Sequence, residues 1–449
     1  MKFSENKPQK SLHLVSLGCT KNLVDSEIML GKLKEYKITN EPETADVIIV
    51  NTCGFIDSAK EESINTILTL HDERKEESVL VMAGCLSERY KEELQKELPE
   101  IDIFTGVGDY DKIDKLVEEK RSFFTDEVFL LNEENDRVIT GSSYHAYIKL
   151  SEGCNQSCSF CAIPNFKGKL HSRTLESLVK EVKNLVKNGY TDFSFVSQDS
   201  SSYLRDLDIK DGLERLIEEV EKIEGVKSAR ILYLYPSTTT LSLIEKIKNS
   251  KVFENYFDMP LQHISANLLK IMKRGKGVEK LKELMEAMRK VPNSFVRTTF
   301  IVGHPGETQE DFEELCNYVK EYKFDRANVF SYSDEEGTSA YDRVDKVEQE
   351  IIDSRAEILG EIISETTNDS LENEIGKEFE VYIDGESEEH EYLLSARKIT
   401  WAPDIDGEIY INDNELFDEN NPKQLEFGKI YKVKITELVG DKLLATVIK

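Results

Sequence analysis

Along the first third of the chain, short apolar runs alternate with stretches in which apolar residues return every three or four positions. The runs LHLVSL from Leu12, DVIIVN from Asp46, SVLVMA from Ser78 and IDIFTG from Ile101 are near-continuous, the pattern of strands covered on both faces. Between them, KNLVDSEIMLGKLKEY and DSAKEESINTILTLHDERK read as amphipathic helices. The alternation predicts an open parallel α/β sheet over residues 11–125. Polar sequence from Arg121 to Ser143 then reads as a linker.

A second series of strand–helix units occupies residues 140–370. Its strands are AYIKL from Ala146, DFSFVS from Asp192, ARILYLY from Ala229, YFDMPL from Tyr256, SFVRTTFIVG from Ser294 and RANVFSY from Arg326. The clearest helix carries Leu175, Leu178, Val179, Val182, Leu185 and Val186 on one face and stops at Gly189. Six such units predict an incomplete (β/α)6 barrel, with a charged helix near Lys346–Thr367 leading out of it. Over residues 371–449 the pattern changes to five short alternating strands without helices, which predicts a small antiparallel β-barrel. The fold class is therefore a multi-domain α/β protein with a β-barrel at its end.

Composition narrows the setting. No run approaches the roughly 20 apolar residues of a membrane helix, and the opening MKFSENKPQK lacks the apolar stretch of a signal peptide. A cytoplasmic location is expected, where cysteines stay reduced and serve as ligands or nucleophiles. Fifty-eight basic residues face 87 acidic ones, a net charge of −29. That field repels DNA and RNA and favours basic partners, although a high charge also simply keeps a protein soluble. The segment 371–449 has nineteen acidic against nine basic residues, where an RNA-binding barrel would usually be basic.

The seven cysteines sort by position. Cys154, Cys158 and Cys161 form a C-x3-C-x2-C run directly after the first strand of the second series. Three thiolates in one loop can hold three irons of a 4Fe–4S cube and leave the fourth iron open to a chelating amino acid such as S-adenosylmethionine (SAM). A structural zinc site would want a fourth ligand and two-residue spacings; His171 is the nearest histidine, ten residues on and beyond Pro164. Cys19, Cys53 and Cys85 each follow a strand of the first series, and the carboxyl ends of such strands lie side by side where ligands bind. Buried structural cysteines are the alternative there. Cys316 shares a helical apolar face with Phe312, Leu315 and Val319 and reads as core. The basic run KGKLHSR, Lys167–Arg173, could bind anionic groups or be a solvated loop. Gly106–Gly108 alone does not support a dinucleotide site.

The C-x3-C-x2-C run with Phe160 before its last cysteine resembles the radical SAM superfamily signature. SFVRTTFIVGHPGET resembles that family's adenine-contacting region through Gly303, Gly306 and Glu307, and FVSQDSS places Gln198 and Asp199 where the family contacts SAM. The same residues would also serve as tight turns and helix caps. With the N-terminal cysteine triad and the terminal barrel, nearly the whole chain resembles the radical SAM methylthiotransferase family. SLGCTKNLVDSE, ARILYLYPS, YFDMPLQHIS and FKGKLHSR look like the branch that modifies small-subunit ribosomal protein twelve. The tRNA-modifying branch typically has a GCQMN-like sequence instead. Thr20 stands where proline is commoner.

The resemblance implies two 4Fe–4S clusters, SAM as radical source and methyl donor, and a TRAM-like barrel that recognises the substrate. The cluster on Cys154, Cys158 and Cys161 would cleave SAM for hydrogen abstraction from the β-carbon of an aspartate. The cluster on Cys19, Cys53 and Cys85 would supply the sulfur. Partners implied are ribosomal protein twelve or the ribosome and a reduced electron donor, with a monomeric enzyme and no membrane. A tRNA adenosine methylthiotransferase and a non-catalytic iron–sulfur protein are the alternatives.

Overall fold

The computed structural model describes residues 9–275, 277–416 and 425–449. Its first unit is a five-stranded sheet of β1 (Ser11–Ser16), β2 (Lys37–Ile38), β3 (Val47–Thr52), β4 (Val79–Gly84) and β5 (Ile103–Phe104), in the order β2-β1-β3-β4-β5. Every pairing is parallel. Each residue of β3 and β4 is buried because both faces are covered. Val47, Ile49, Val79 and Val81 pack with Val24 and Ile28 of α1 (Thr20–Lys32). Ile48, Val50, Leu80 and Met82 pack with Ile67 and Leu70 of α2 (Asp57–Glu73). A short helix α3 (Cys85–Arg89) leaves β4 directly. The edge strand β2 carries only two residues, too few to show a pattern in the sequence.

The barrel strands of the second unit are, in chain order, β6 (His145–Lys149), β7 (Asp192–Val196), β8 (Ser228–Ile231), β9 (Tyr256–Asp258), β10 (Phe295–Val302) and β11 (Arg326–Ser331). They form two parallel ribbons, β8-β7-β6 and β9-β10-β11, joined by a parallel bridge from Ala229 to Phe253. This is the incomplete barrel. Helices α4 (Leu175–Lys187), α5 (Gln309–Tyr322) and α6 (Gln349–Glu372) pack outside it. The run ARILYLY is a strand only to Ile231, because Tyr233 takes a left-handed φ of 61° and Leu234 instead donates to the carbonyl of Asp258 at 2.8 Å.

The last unit closes on itself through β12 (Glu378–Glu386), β13 (Leu394–Lys398), β14 (Ile409–Asn414), β15 (Ile430–Val439) and β16 (Lys442–Val447), in the order β12-β13-β14-β16-β15. Four pairings are antiparallel and β14–β16 is parallel. A closed ring with an odd number of strands cannot alternate direction all the way round, so one parallel pair is required.

The segment 399–406 of this barrel crosses the amino-terminal mouth of the central one. Tyr147 of β6 donates to the Pro403 carbonyl at 3.0 Å, and Arg230 of β8 to that of Ile399 at 2.7 Å. Trp401 packs on Phe295, which stacks on Tyr256. Beneath them Asp192 pairs with Arg230 at 2.8 Å and with Arg397 at 2.6 Å, all fully buried. The two guanidinium groups hold its carboxyl well below the usual carboxylate range.

Candidate active site

Because β1, β3 and β4 lie side by side, the residues that follow them meet at one edge of the sheet. Cys19 caps α1, Cys53 follows β3, and Cys85 opens α3. The approach is closest at Gly18, whose φ is +83° and where an added Cβ would lie 2.8 Å from Cys53 Sγ; only glycine takes that conformation without strain. Asn22 donates through Nδ2 to the carbonyls of Leu17 at 3.0 Å and Thr52 at 3.1 Å, clamping the ends of β1 and β3. Its Oδ1 lies 3.6 Å from the Cys85 thiol. Burial pushes the Cys53 thiol up to about 11 and that of Cys85 up to about 12.

Cys154, Cys158 and Cys161 lie in the loop after β6. At Gly153 a Cβ would come within 2.0 Å of the Lys169 carbonyl oxygen, so its absence lets Cys154 N–H donate to Gly168 at 3.1 Å. Gln156 Nε2 donates to Asp199 Oδ2 at 2.7 Å, tying the loop to the end of β7. Arg274 donates to Cys158 Sγ at 3.4 Å, and the Tyr235 hydroxyl lies 3.6 Å from the same sulfur. Phe160 packs with Leu268, Met272 and Tyr332. Burial pushes the Cys154 thiol up to about 11 and the Cys161 thiol up to about 12.

All six cysteines line a single cavity of about 430 Å³. Cys316 is apart from them, in the barrel core with Phe312, Leu315 and Val319. His171 is exposed in the short strand His171–Ser172 that pairs with Ser151–Glu152 and closes the cysteine loop; its Nδ1 is 2.8 Å from the Lys169 carbonyl oxygen, and it is not in the cavity wall. Of the five residues expected at the cofactor, Gln198 lines the six-cysteine cavity. Gly303 lines a second cavity, of about 570 Å³, which shares Ile56 and Phe330 with the first. Asp199, Gly306 and Glu307 line neither. Asp199 is taken by Gln156 and by Ser201 at 2.9 Å. Glu307 is buried against His263 at 3.2 Å and Arg355 at 2.9 Å, and it accepts from the Gly303 N–H. Gly306, at φ +88°, donates to the Asp345 carbonyl at 2.9 Å.

Several cavity residues carried no signal in the sequence. Tyr233, Asp258, Gln262, Arg274 and Arg297 come from β8 through β10, and only folding brings them beside Lys21. The charged Asp258 and Arg297 inside otherwise apolar runs were the available hint, since buried charges need partners. The basic run after the cysteine loop is not a free anion site. Lys167 is buried with Lys149 against Asp25 and Glu152, and Arg173 is paired with Glu181 at 2.5 Å. The two lysines hold the Glu152 carboxyl down to about 2. Through Asp25 on α1 and Lys167 after Cys161, this quartet fastens one cysteine triad to the other.

Residues 11–106 match the uncharacterized protein family UPF0004, 148–319 the radical SAM superfamily, and 375–448 the TRAM domain. A protein of Aliarcobacter butzleri named ribosomal protein uS12 methylthiotransferase RimO is 79% identical over all of both chains. One of the same name from Campylobacter jejuni is 55% identical over 98% of each. The chain belongs to the ribosomal protein uS12 methylthiotransferase family. It is a radical SAM enzyme that transfers a sulfur-containing group. Among solved structures, the radical SAM methyltransferase TsrM of Kitasatospora setae, with tryptophan and a SAM analogue, shares the fold at a TM-score of 0.52 and 14% identity, over 72% of each chain.

Membership in the radical SAM superfamily implies a 4Fe–4S cluster and SAM, and the residues fit both. Each triad offers three thiols, the donor set of an iron–sulfur cube with one open iron. Among the described residues no three such side chains converge tightly enough for a single ion. Gln198 Oε1 is a buried acceptor without a partner in the cavity wall, free to receive a donor from SAM. Burial raises the thiols of Cys53, Cys85, Cys154 and Cys161, so binding iron through them would release protons.

Proposed function

We propose that this enzyme places a methylthio group on the β-carbon of an aspartate in ribosomal protein uS12. The observation that carries the reading is the shared cavity: six thiols from two units of the fold open on one space. Cys154, Cys158 and Cys161 would hold the cluster that receives SAM, and Cys19, Cys53 and Cys85 a second one. When bound, these groups supply the radical that takes a hydrogen atom and the sulfur that replaces it. The chain itself contributes positioning. Arg274 and Tyr235 steady Cys158, Gln156 anchors the loop to Asp199, and Gln198 offers its free carbonyl to SAM. Glu307 acts one step back, fixing the turn at Gly303. The relatives' printed names and the acidity of residues 371–449 both support a basic ribosomal protein over tRNA as substrate.

Substitution of each triad tests the assignment. Anaerobic reconstitution of the wild type is expected to give about eight irons per chain, as two cubes require. Alanine at Cys154, Cys158 and Cys161 should leave roughly half the iron and no SAM cleavage. Alanine at Cys19, Cys53 and Cys85 should also halve the iron yet preserve cleavage while ending sulfur transfer. Cys316→Ala should change neither. Full iron in the second triple variant would refute the N-terminal site.

A further inference from the structure

The cavity between the two triads holds four cations: two are paired with carboxylates and a third is hydrogen-bonded to carbonyls and a thiol. Lys167 is paired with Asp25 and Glu152. Arg274 spends its guanidinium on the carbonyls of Leu261 and Pro260 and on Cys158 Sγ. Arg297 lies 3.4 Å from Asp258 and 3.4 Å from Asp406. Lys21 is the fourth: it lines the same cavity, and among the described residues it has neither the carboxylate partner of Lys167 and Arg297 nor the carbonyl and thiol acceptors of Arg274. Its ammonium rests 3.5 Å from the centre of the Tyr233 ring, and a cation over an aromatic face remains open to an anion on its other side. The backbone that carries the ring is fixed. Tyr233 is in the left-handed region at φ 61°, and its N–H is fixed by Asp258 Oδ2 at 3.0 Å. A non-glycine residue kept in that conformation costs energy that the surroundings must supply, a common feature of binding sites.

We propose that Lys21 is the specificity determinant of the reaction, receiving the side-chain carboxylate of the substrate aspartate. This rests on the aspartate-bearing substrate argued above. The chemistry favours that anion. The reacting β-carbon is bonded directly to the carboxylate carbon, so holding the carboxylate on a fixed ammonium places the carbon to be attacked one bond away. No carboxylate of the described residues lies in ion-pair range of this buried ammonium, which feels Asp258 only from further off, and an entering carboxylate supplies a close counter-charge and a charge-assisted hydrogen bond. An amide of the same shape can accept a hydrogen bond from the ammonium but brings no counter-charge, so the site disfavours asparagine by leaving the cation unneutralised.

The test is anaerobic binding of the reconstituted full-length enzyme to uS12 carrying either aspartate or asparagine at the modified position, with iron content and SAM affinity measured alongside. Wild type should favour the aspartate form by about tenfold, the scale of one charge-assisted hydrogen bond. Lys21→Met, near-isosteric and neutral, should weaken the aspartate form to the level of the asparagine form and leave the latter unchanged. Lys21→Arg should restore part of the preference. Equal weakening of both forms, or retained discrimination in Lys21→Met, would overturn the proposal. So would a Lys21→Met variant that loses iron or SAM affinity, since the ammonium would then serve the cluster or the SAM carboxylate. Failure of the underlying reading looks different: wild type would bind neither protein form and would bind tRNA.

Discussion

A methyl group added at Gly18 would press against both Cβ and Sγ of Cys53, at 2.7 and 2.8 Å, on a backbone held at φ +83°. Gly18→Ala is therefore expected to displace one thiol of the N-terminal triad. Reconstituted iron should fall by roughly half, one cube of two, while reductive SAM cleavage persists; an iron content equal to wild type would show that the close approach is dispensable. At this scale the sequence was informative about some residues and silent about others. The grouping of the six cysteines into two triads was legible because each follows a strand or sits in one compact loop, and Cys316 was legible as core from its helical apolar face. Glu307 looked like a cofactor contact because it ends a motif-like run. Its carboxylate pairs with Arg355, which lies 48 residues further on, on α6. Lys21 follows Cys19 closely, yet nothing local shows that its ammonium meets Tyr233, contributed by a different unit of the fold.

Among the elements, α1 shows where amphipathic reasoning stops. It was legible as a helix, but Asn22, Asp25, Ser26 and Glu27 are all buried, because the helix lies between the first sheet and the central barrel. Its polar side meets Lys149, Lys167 and Arg137 instead of water. Removing one partner from such a buried quartet costs about 3–5 kcal/mol, so this contact is a rigid joint between the triads. The segment 399–406 is the corresponding joint at the other end. There burial pushes the Asp406 carboxyl up to about 6, above the roughly 4 of an unfolded chain. The folded state holds that proton more tightly. The stability it contributes, on the order of 2–3 kcal/mol, is complete below about pH 4 and is lost as pH rises through 6. Asp406→Asn should flatten the dependence of Tm on pH between about 4 and 7; wild-type and variant profiles running parallel would contradict this. The five terminal strands were legible from alternation. The parallel β14–β16 pair was not, since closure of a ring is a property of all five together.

Across the whole molecule, side chains from the first sheet, the central barrel and the terminal barrel share one hydrophobic core. The three patterns read separately along the chain thus fold into mutually braced units, and the cavity with its six thiols exists only when they are assembled. The net charge of −29 surrounds this assembly. Association with a basic ribosomal protein should weaken steeply as salt rises, and an affinity insensitive to salt would remove charge from the account of recognition. The most direct measurement of the central claim is a competition in one vessel. The reconstituted full-length enzyme, SAM, a reductant and a sulfide source are incubated anaerobically with uS12 and bulk tRNA, and both products are analysed by mass spectrometry. One aspartate of uS12 should exchange a β-carbon hydrogen for a methylthio group while the tRNA is unchanged. A methylthio group on a tRNA adenosine, with uS12 unmodified, would contradict it.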